Sequence, residues 1–119
     1  LDHFKRINDS YGHPVGDAVL CRVAQIIRDN VRKTDIAGRW GGEEFLVVCM
    51  DTSAEAARHV AEKMRTAIEN QVSPQAWTCT ASFGVASYRP GDSVQALIAR
   101  SDAALYAAKA GGRNQVSTA

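Results

Sequence analysis

Asp35-Ile36-Ala37-Gly38-Arg39-Trp40-Gly41-Gly42-Glu43-Glu44-Phe45-Leu46-Val47-Val48-Cys49-Met50 is the stretch that decides the fold. Two short strand-like runs flank a pair of glycines. Paired glycines supply the positive φ that a tight hairpin needs, so the stretch predicts a β-hairpin. After its two acids the second run is continuously apolar, which predicts a strand buried on both faces. Trp40 is expected to pack on its strand.

Upstream of the hairpin, Val19, Leu20, Val23, Ala24, Ile27 and Val31 recur at helical spacing and predict a helix over 15–32. Downstream, Thr52 and Glu55 have capping-box spacing. Ala54, Ala57, Val60, Ala61, Met64, Ala67 and Ile68 then form a second helical stripe. Trp77 to Val85 reads as a strand, with Thr78, Thr80 and Ser82 alternating with Cys79, Ala81 and Phe83. Pro90-Gly91-Asp92 is a turn. Val94, Leu97, Ile98, Ser101, Ala104, Leu105 and Ala108 mark a third helix, stopped by Gly111-Gly112, with Tyr106 expected to pack it. Asn114 to Ser117 suits a short last strand. Helix, hairpin, helix, strand, helix, strand predicts an α/β (α+β) fold: a two-layer sandwich of helices on a mostly antiparallel sheet.

The chain has 119 residues, the size of one domain, and 45% of them are hydrophobic, enough for a core. Lys plus Arg number 14 against 13 Asp plus Glu, a net charge of +1. That balance gives no electrostatic reason to expect nucleic acid or an anionic membrane as partner. Phosphate binding must come from a local basic site. The cysteines Cys21, Cys49 and Cys79 are scattered and lack a CxxC or Cys/His pairing, which argues against a disulfide framework or zinc site. They read as small apolar core residues in a reduced compartment. No apolar run approaches the roughly 20 residues that span a bilayer.

Chemistry concentrates in four places. Glu43 and Glu44 follow the glycine turn, where a hairpin tip holds side chains rigidly and Gly42 lets a ligand approach the backbone. Carboxylates there suit Mg²⁺, which takes a few protein oxygens plus substrate phosphates; exposed acids on an ordinary hairpin are the plain alternative. Asn8 and Asp17 lie in a polar, glycine-rich stretch leading into the first helix. Together they suit guanine, an Asp accepting from N1–H and the exocyclic amine, an Asn amide serving O6 and N7. Asp17 equally suits a helix N-cap. Lys109 and Arg113 bracket Ala110-Gly111-Gly112, where cations favour a helix C-terminus or hold nucleotide phosphates. Arg32 and Asp35 read either as a helix-end Arg with a turn Asp or as a site for guanine and phosphate.

Taken together, Asp2-His3-Phe4-Lys5-x-Ile7-Asn8-Asp9, Tyr11-Gly12-His13, Gly16-Asp17, Gly41-Gly42-Glu43-Glu44-Phe45, Ser82-Phe83-Gly84-Val85 and Ala103-Ala104-Leu105-Tyr106-x-Ala108-Lys109-x-x-Gly112-Arg113-Asn114 resemble the signature blocks of GGDEF domains, in order and spacing. The resemblance runs from Leu1 to about Val116. It implies a fold like nucleotide cyclases and the polymerase palm, and the activity of a diguanylate cyclase: condensation of two GTP into cyclic di-GMP, with pyrophosphate leaving, by two-metal catalysis across a homodimer. It implies Mg²⁺ (or Mn²⁺) on Glu43 and on the backbone carbonyl of Leu1, with Glu44 assisting metal or proton transfer. Asn8 and Asp17 would read guanine. Lys5, Lys109 and Arg113, the amides of His3 and Phe4, and Gly42 would meet the rest of the substrate. Arg32 and Asp35 match the family's RxxD inhibitory site for the product, with Lys63 or Arg65 as assistant.

Domains of this family begin earlier. The resemblance therefore implies that 1–119 lacks an N-terminal helix, most of the first central strand and a second metal-binding Asp before Leu1, and that the fragment alone is weakly active or inactive. It further implies a cytoplasmic domain, in a soluble or membrane-anchored parent with an upstream sensory domain. The alternative is a non-catalytic module that binds GTP or cyclic di-GMP; retention of Glu43 and Glu44 favours the enzyme.

Overall fold

Gly12 divides the first two helices. Its φ of 88° breaks α1 (Phe4–Tyr11) from α2 (His13–Asn30), and Pro14 sits in the first turn of α2. The computed structural model describes residues 1–71 and 77–119. After α2 come β1 (Ile36–Gly41), β2 (Glu44–Val48), α3 (Ala54–Glu69), β3 (Phe83–Val85), α4 (Val94–Ala110) and β4 (Val116–Thr118). β1 and β2 pair antiparallel from Ile36↔Val48 to Gly41↔Glu44, with a register irregularity between Arg39 and Gly41. β3 and β4 pair parallel from Phe83↔Val116 to Val85↔Thr118.

The first residues bridge the hairpin turn and the segment that leads into β3. The Leu1 nitrogen donates to the Glu43 carbonyl at 3.1 Å, and the Asp2 amide donates to the Thr80 carbonyl at 2.9 Å. Ile7 of α1, Val19, Val23, Ile26 and Ile27 of α2, and Met64 and Ile68 of α3 form one core with Trp77, Cys79 and Ala81. Burial of these apolar surfaces is the main stabilising force. On the far side, Gly84 runs so close to α4 that a Cβ there would fall on the Ser101 carbonyl and the Leu105 amide. No helix among the described residues is long and apolar enough to cross a membrane.

The hairpin, the α3 stripe, the Pro90–Gly91 turn and the end of α4 at the glycine pair match the expectations from sequence. Several details differ. α1 is a helix that the sequence reading leaves as an irregular lead-in, and α2 starts at His13 because Gly12 caps it. Only Phe83–Val85 of the expected 77–85 strand is laddered, though Trp77, Cys79 and Ala81 are buried and Thr78 is exposed, as alternation requires. β2 is not buried on both faces: Phe45 and Val47 pack against the core while Val48 is exposed. Trp40 is 57% exposed, because the opposite phase of β1, Ala37 and Arg39, faces α2. Tyr106 is 75% exposed, since Ala104 and Ala108 mark the buried face of α4 and Tyr106 lies halfway between them on the other side. Ser53, not Thr52, caps α3, accepting from the Ala56 amide at 3.1 Å. Only Cys79 is a core cysteine, its thiol pushed up to about 11 by burial; Cys21 is exposed and Cys49 half-buried.

Candidate functional site

The hairpin tip is built for rigidity. Gly42 has a φ of 51°, the left-handed region that a side chain resists, and the Arg39 guanidinium donates from Nε to the Gly42 carbonyl at 2.7 Å. Glu43 follows, half-buried, with its carbonyl bonded to Leu1; Glu44 is exposed at the start of β2. The tip thus lies against the segment that enters α1. Arg39 escaped the sequence reading, because nothing in a strand-like run marks one arginine as the brace of a turn.

That segment turns sharply. His3 has a φ of 53° and precedes α1 without a side-chain cap, leaving the first amides of the helix, at Phe4 and Lys5, without intrahelical acceptors. Such a terminus suits an anion. Lys5 is exposed in the same turn. One helical turn on, the half-buried Asn8 rests where α1 and α2 touch: a Cβ at Gly16 would fall on the Asn8 amide oxygen and crowd the Phe4 ring. Asp17 follows Gly16, exposed and inside α2. Gly12 holds the N-cap position, so the helix-cap reading of Asp17 is excluded.

Lys109 and Arg113 sit at the end of α4. Gly112, with a φ of 116°, allows the Gly112 and Arg113 amides to bond back to the Lys109 and Ala108 carbonyls, a Schellman closure. Arg113 and Asn114 continue in the left-handed region at φ 64° and 46°. The hairpin tip is bonded to Leu1, and the turn after α4 to the next residue, Asp2, so the two meet at the segment that enters α1.

Asp2 closes this junction. It is the one charged residue buried as a whole, backbone and side chain together, among the described residues, at 5% exposure. Ser82 Oγ donates to its Oδ1 at 2.6 Å; Thr80 Oγ1 and the Asn114 amide donate to Oδ2 at 2.7 and 3.0 Å. Burial alone would raise its pKa, but the hydrogen bonds from Ser82, Thr80 and Asn114 outweigh it and hold the carboxyl below the ordinary value. The alternation of Thr80 and Ser82 was legible in sequence; that both hydroxyls serve one carboxylate was not.

Arg32 and Asp35 stand at the other end of the hairpin, roughly 17 Å along the strands from the tip. They hold each other. Arg32 Nη2 meets Asp35 Oδ1 at 3.2 Å, the Met50 carbonyl at 2.5 Å and Thr52 Oγ1 at 2.7 Å. Asp35 also accepts from the Arg32 and Met50 amides at 2.9 and 3.2 Å. Its pKa is lowered, first by the Arg32 amide and then by the guanidinium. Of the two expected assistants, Arg65 is engaged elsewhere, with Glu62, Glu69 and Asn114. Lys63 lines a groove of α3 beside Asn30 at the end of α2, on the Arg32 side.

The donor set is at most part of a site for a divalent metal. Among the described residues no group of three or more His, Cys, Asp or Glu could hold a metal. One carboxylate, Glu43, beside a backbone pinned at Leu1 is what an ion needs if phosphate oxygens fill much of its shell.

The family described as "Diguanylate cyclase, GGDEF domain" matches residues 1–115. Diguanylate cyclase A of Treponema denticola is 45% identical over 121 residues, covering 98% of this chain and 33% of that protein. The chain thus spans about a third of the length of that relative. The crystal structure of the coiled coil and GGDEF domain of DgcB from Caulobacter crescentus, in complex with c-di-GMP, superposes with a TM-score of 0.94 at 35% identity, covering 99% of this chain and 65% of that one. The active GGEEF domain of a diguanylate cyclase from Vibrio cholerae superposes at 0.93 with 39% identity, covering 98% and 76%.

Proposed function

The chain belongs to the GGDEF diguanylate cyclase family, and from that premise we propose that its parent protein condenses two GTP into cyclic di-GMP at the junction of Leu1, Glu43 and the Lys109–Arg113 turn. The observation that carries this reading is the convergence of three segments distant in sequence: the hairpin tip bonded to Leu1, the uncapped start of α1, and the end of α4 tied to Asp2.

In this reading Asn8 and Asp17 bind guanine at the corner where Gly16 lets α1 pack closely on α2. The Phe4 and Lys5 end of α1, with the His3 amide, receives the β- and γ-phosphates, and Lys5, Lys109 and Arg113 neutralise them. Glu43 and the Leu1 carbonyl would hold Mg²⁺, which polarises the α-phosphate and lowers the pKa of the attacking hydroxyl. Glu44 stands on the same hairpin, open to solvent, for proton transfer. The 3′-oxygen of one GTP bonds to the α-phosphorus of the other, and the bond from that phosphorus to the β-phosphate oxygen breaks. Pyrophosphate leaves and the hydroxyl proton passes to solvent. The same step in reverse orientation closes the ring. Each domain holds one GTP, so two copies must face each other, and their pairing supplies the orientation of the reactants. With Glu43 the one junction carboxylate left for a metal, since the Asp2 oxygens are taken by Thr80, Ser82 and Asn114, the chain by itself turns over slowly or not at all.

Arg32 and Asp35 form the product site, with Lys63 the assistant. Their mutual ion pair must open to admit cyclic di-GMP.

The test of base recognition is Asp17→Ala in the full-length protein, assayed with GTP and ATP by mass spectrometry of the product. Loss of the preference for GTP supports the assignment. An unchanged preference removes Asp17 from the base site.

A further inference from the structure

The buried carboxylate of Asp2 has no place among the groups that touch substrate in the reading above, yet it is the best-bonded side chain of the junction. Three donors from two segments converge on it: the hydroxyls of Thr80 and Ser82, and the amide of Asn114. No cation touches it among the described residues. A bare carboxylate in such a place is costly unless its oxygens are saturated, so its presence argues for a geometric duty.

The duty is visible in the turn after α4. Arg113 and Asn114 are consecutive non-glycine residues in the left-handed region. Each such residue is disfavoured and persists only where its surroundings hold it. Asn114 is held on both sides. Its amide is fixed by Asp2, its side-chain oxygen accepts from Arg65 Nη1 at 3.0 Å, and its side-chain nitrogen donates to Glu69. Asp2 itself follows Leu1 directly, and its own amide is anchored to Thr80.

We propose that Asp2 is a positioning residue which, through the Asn114 amide, fixes the Lys109–Arg113 turn relative to the Leu1 carbonyl, so that turn and carbonyl engage one nucleotide triphosphate together. The proposal rests on the substrate site assigned above. Asp2 acts as a multiple hydrogen-bond acceptor, and its charge is secondary. An Asn side chain in its place keeps one acceptor for Thr80 and Asn114, and turns its amide nitrogen towards Ser82 Oγ, which can accept.

The experiment uses the full-length protein and 3′-deoxy-GTP with Mg²⁺, a probe that lacks the attacking hydroxyl and so reads binding without turnover. Kd is measured by calorimetry for wild type, Asp2→Ala, Asp2→Asn, Thr80→Val and Lys109→Ala, with unfolding curves alongside. Asp2→Ala is expected to weaken binding about tenfold, the effect of losing one hydrogen bond to a charged group. Thr80→Val is expected to weaken it about threefold, and Asp2→Asn to stay within about threefold of wild type. Lys109→Ala separates failure of the substrate site from failure of the positioning role. If it binds as wild type does, the substrate site is wrong and the proposal falls with it. If it binds weakly while Asp2→Ala binds as wild type does, the site stands and the positioning role is overturned. Should Asp2→Ala fail to fold, Thr80→Val takes its place in that comparison. Binding by Asp2→Asn as weak as by Asp2→Ala also overturns the proposal, since charge would then be the property that matters.

Discussion

Two aspartates organise the two ends of this molecule, and they do so in opposite ways. Asp2 is buried, accepts only from hydroxyls and a backbone amide, and ties together the start of α1, the 77–82 segment and the turn after α4. Asp35 lies beneath Arg32, its side chain 4% exposed under a guanidinium that is 58% exposed, and its partners all come from the two ends of the hairpin. At Asp2 water cannot replace a lost partner. At Arg32–Asp35 it can, because the cation already faces solvent. One junction is therefore closed to water, while the other has its cation in solvent, as the proposed product site requires.

The sharpest challenge to this contrast is Gly84→Ala. The added methyl collides with the backbone of α4, so the rigid side of the molecule should lose about 3 kcal/mol or more, read from urea unfolding. A smaller loss would mean that α4 can shift, and that the turn bearing Arg113 is less firmly set than described. Asp2→Ala strands three donors in a buried place and should cost about 2–3 kcal/mol in the same measurement. Arg32→Ala should leave the unfolding midpoint close to wild type, yet relieve inhibition by added cyclic di-GMP; retained inhibition would return Arg32 and Asp35 to an ordinary turn. The smallest effect concerns pH. The Asp35 pKa is lowered in the folded chain, so its contribution to stability is present above about pH 4, the unfolded value, and disappears as pH falls through the folded one. Asp35→Asn should therefore flatten the acid side of the stability curve slightly, and an unaltered curve would show that the pair adds nothing to folding.

What sequence could show follows the same division. α4 was legible from its stripe and from the glycine pair that closes it, because helix stops are local chemistry. The hairpin was legible for the same reason. α1 was not, since its eight residues are mostly polar and Ile7 is its one buried side chain; contact with α2 across Gly16 sets it. The exposure of Trp40 and Tyr106 depends on which face of an element meets its neighbours, which no local pattern records. At the site, Glu43, Asn8, Lys109 and Arg113 stood out through their motifs. Arg39 and the partners of Arg65 did not, and Asp2, though it heads the first block, showed no role there, because each acts through a residue remote in sequence or by bracing a backbone group.

In the proposed function the tip of the hairpin, joined to Leu1, is a GTP-condensing site. The most direct measurement is formation of cyclic di-GMP from GTP and Mg²⁺ by the full-length protein, wild type beside Glu43→Gln, with product removed as it forms and the dimer verified. Product is expected from the wild type and none from the variant, which keeps its unfolding midpoint. Undiminished product from Glu43→Gln, or none from the wild-type dimer, would contradict it.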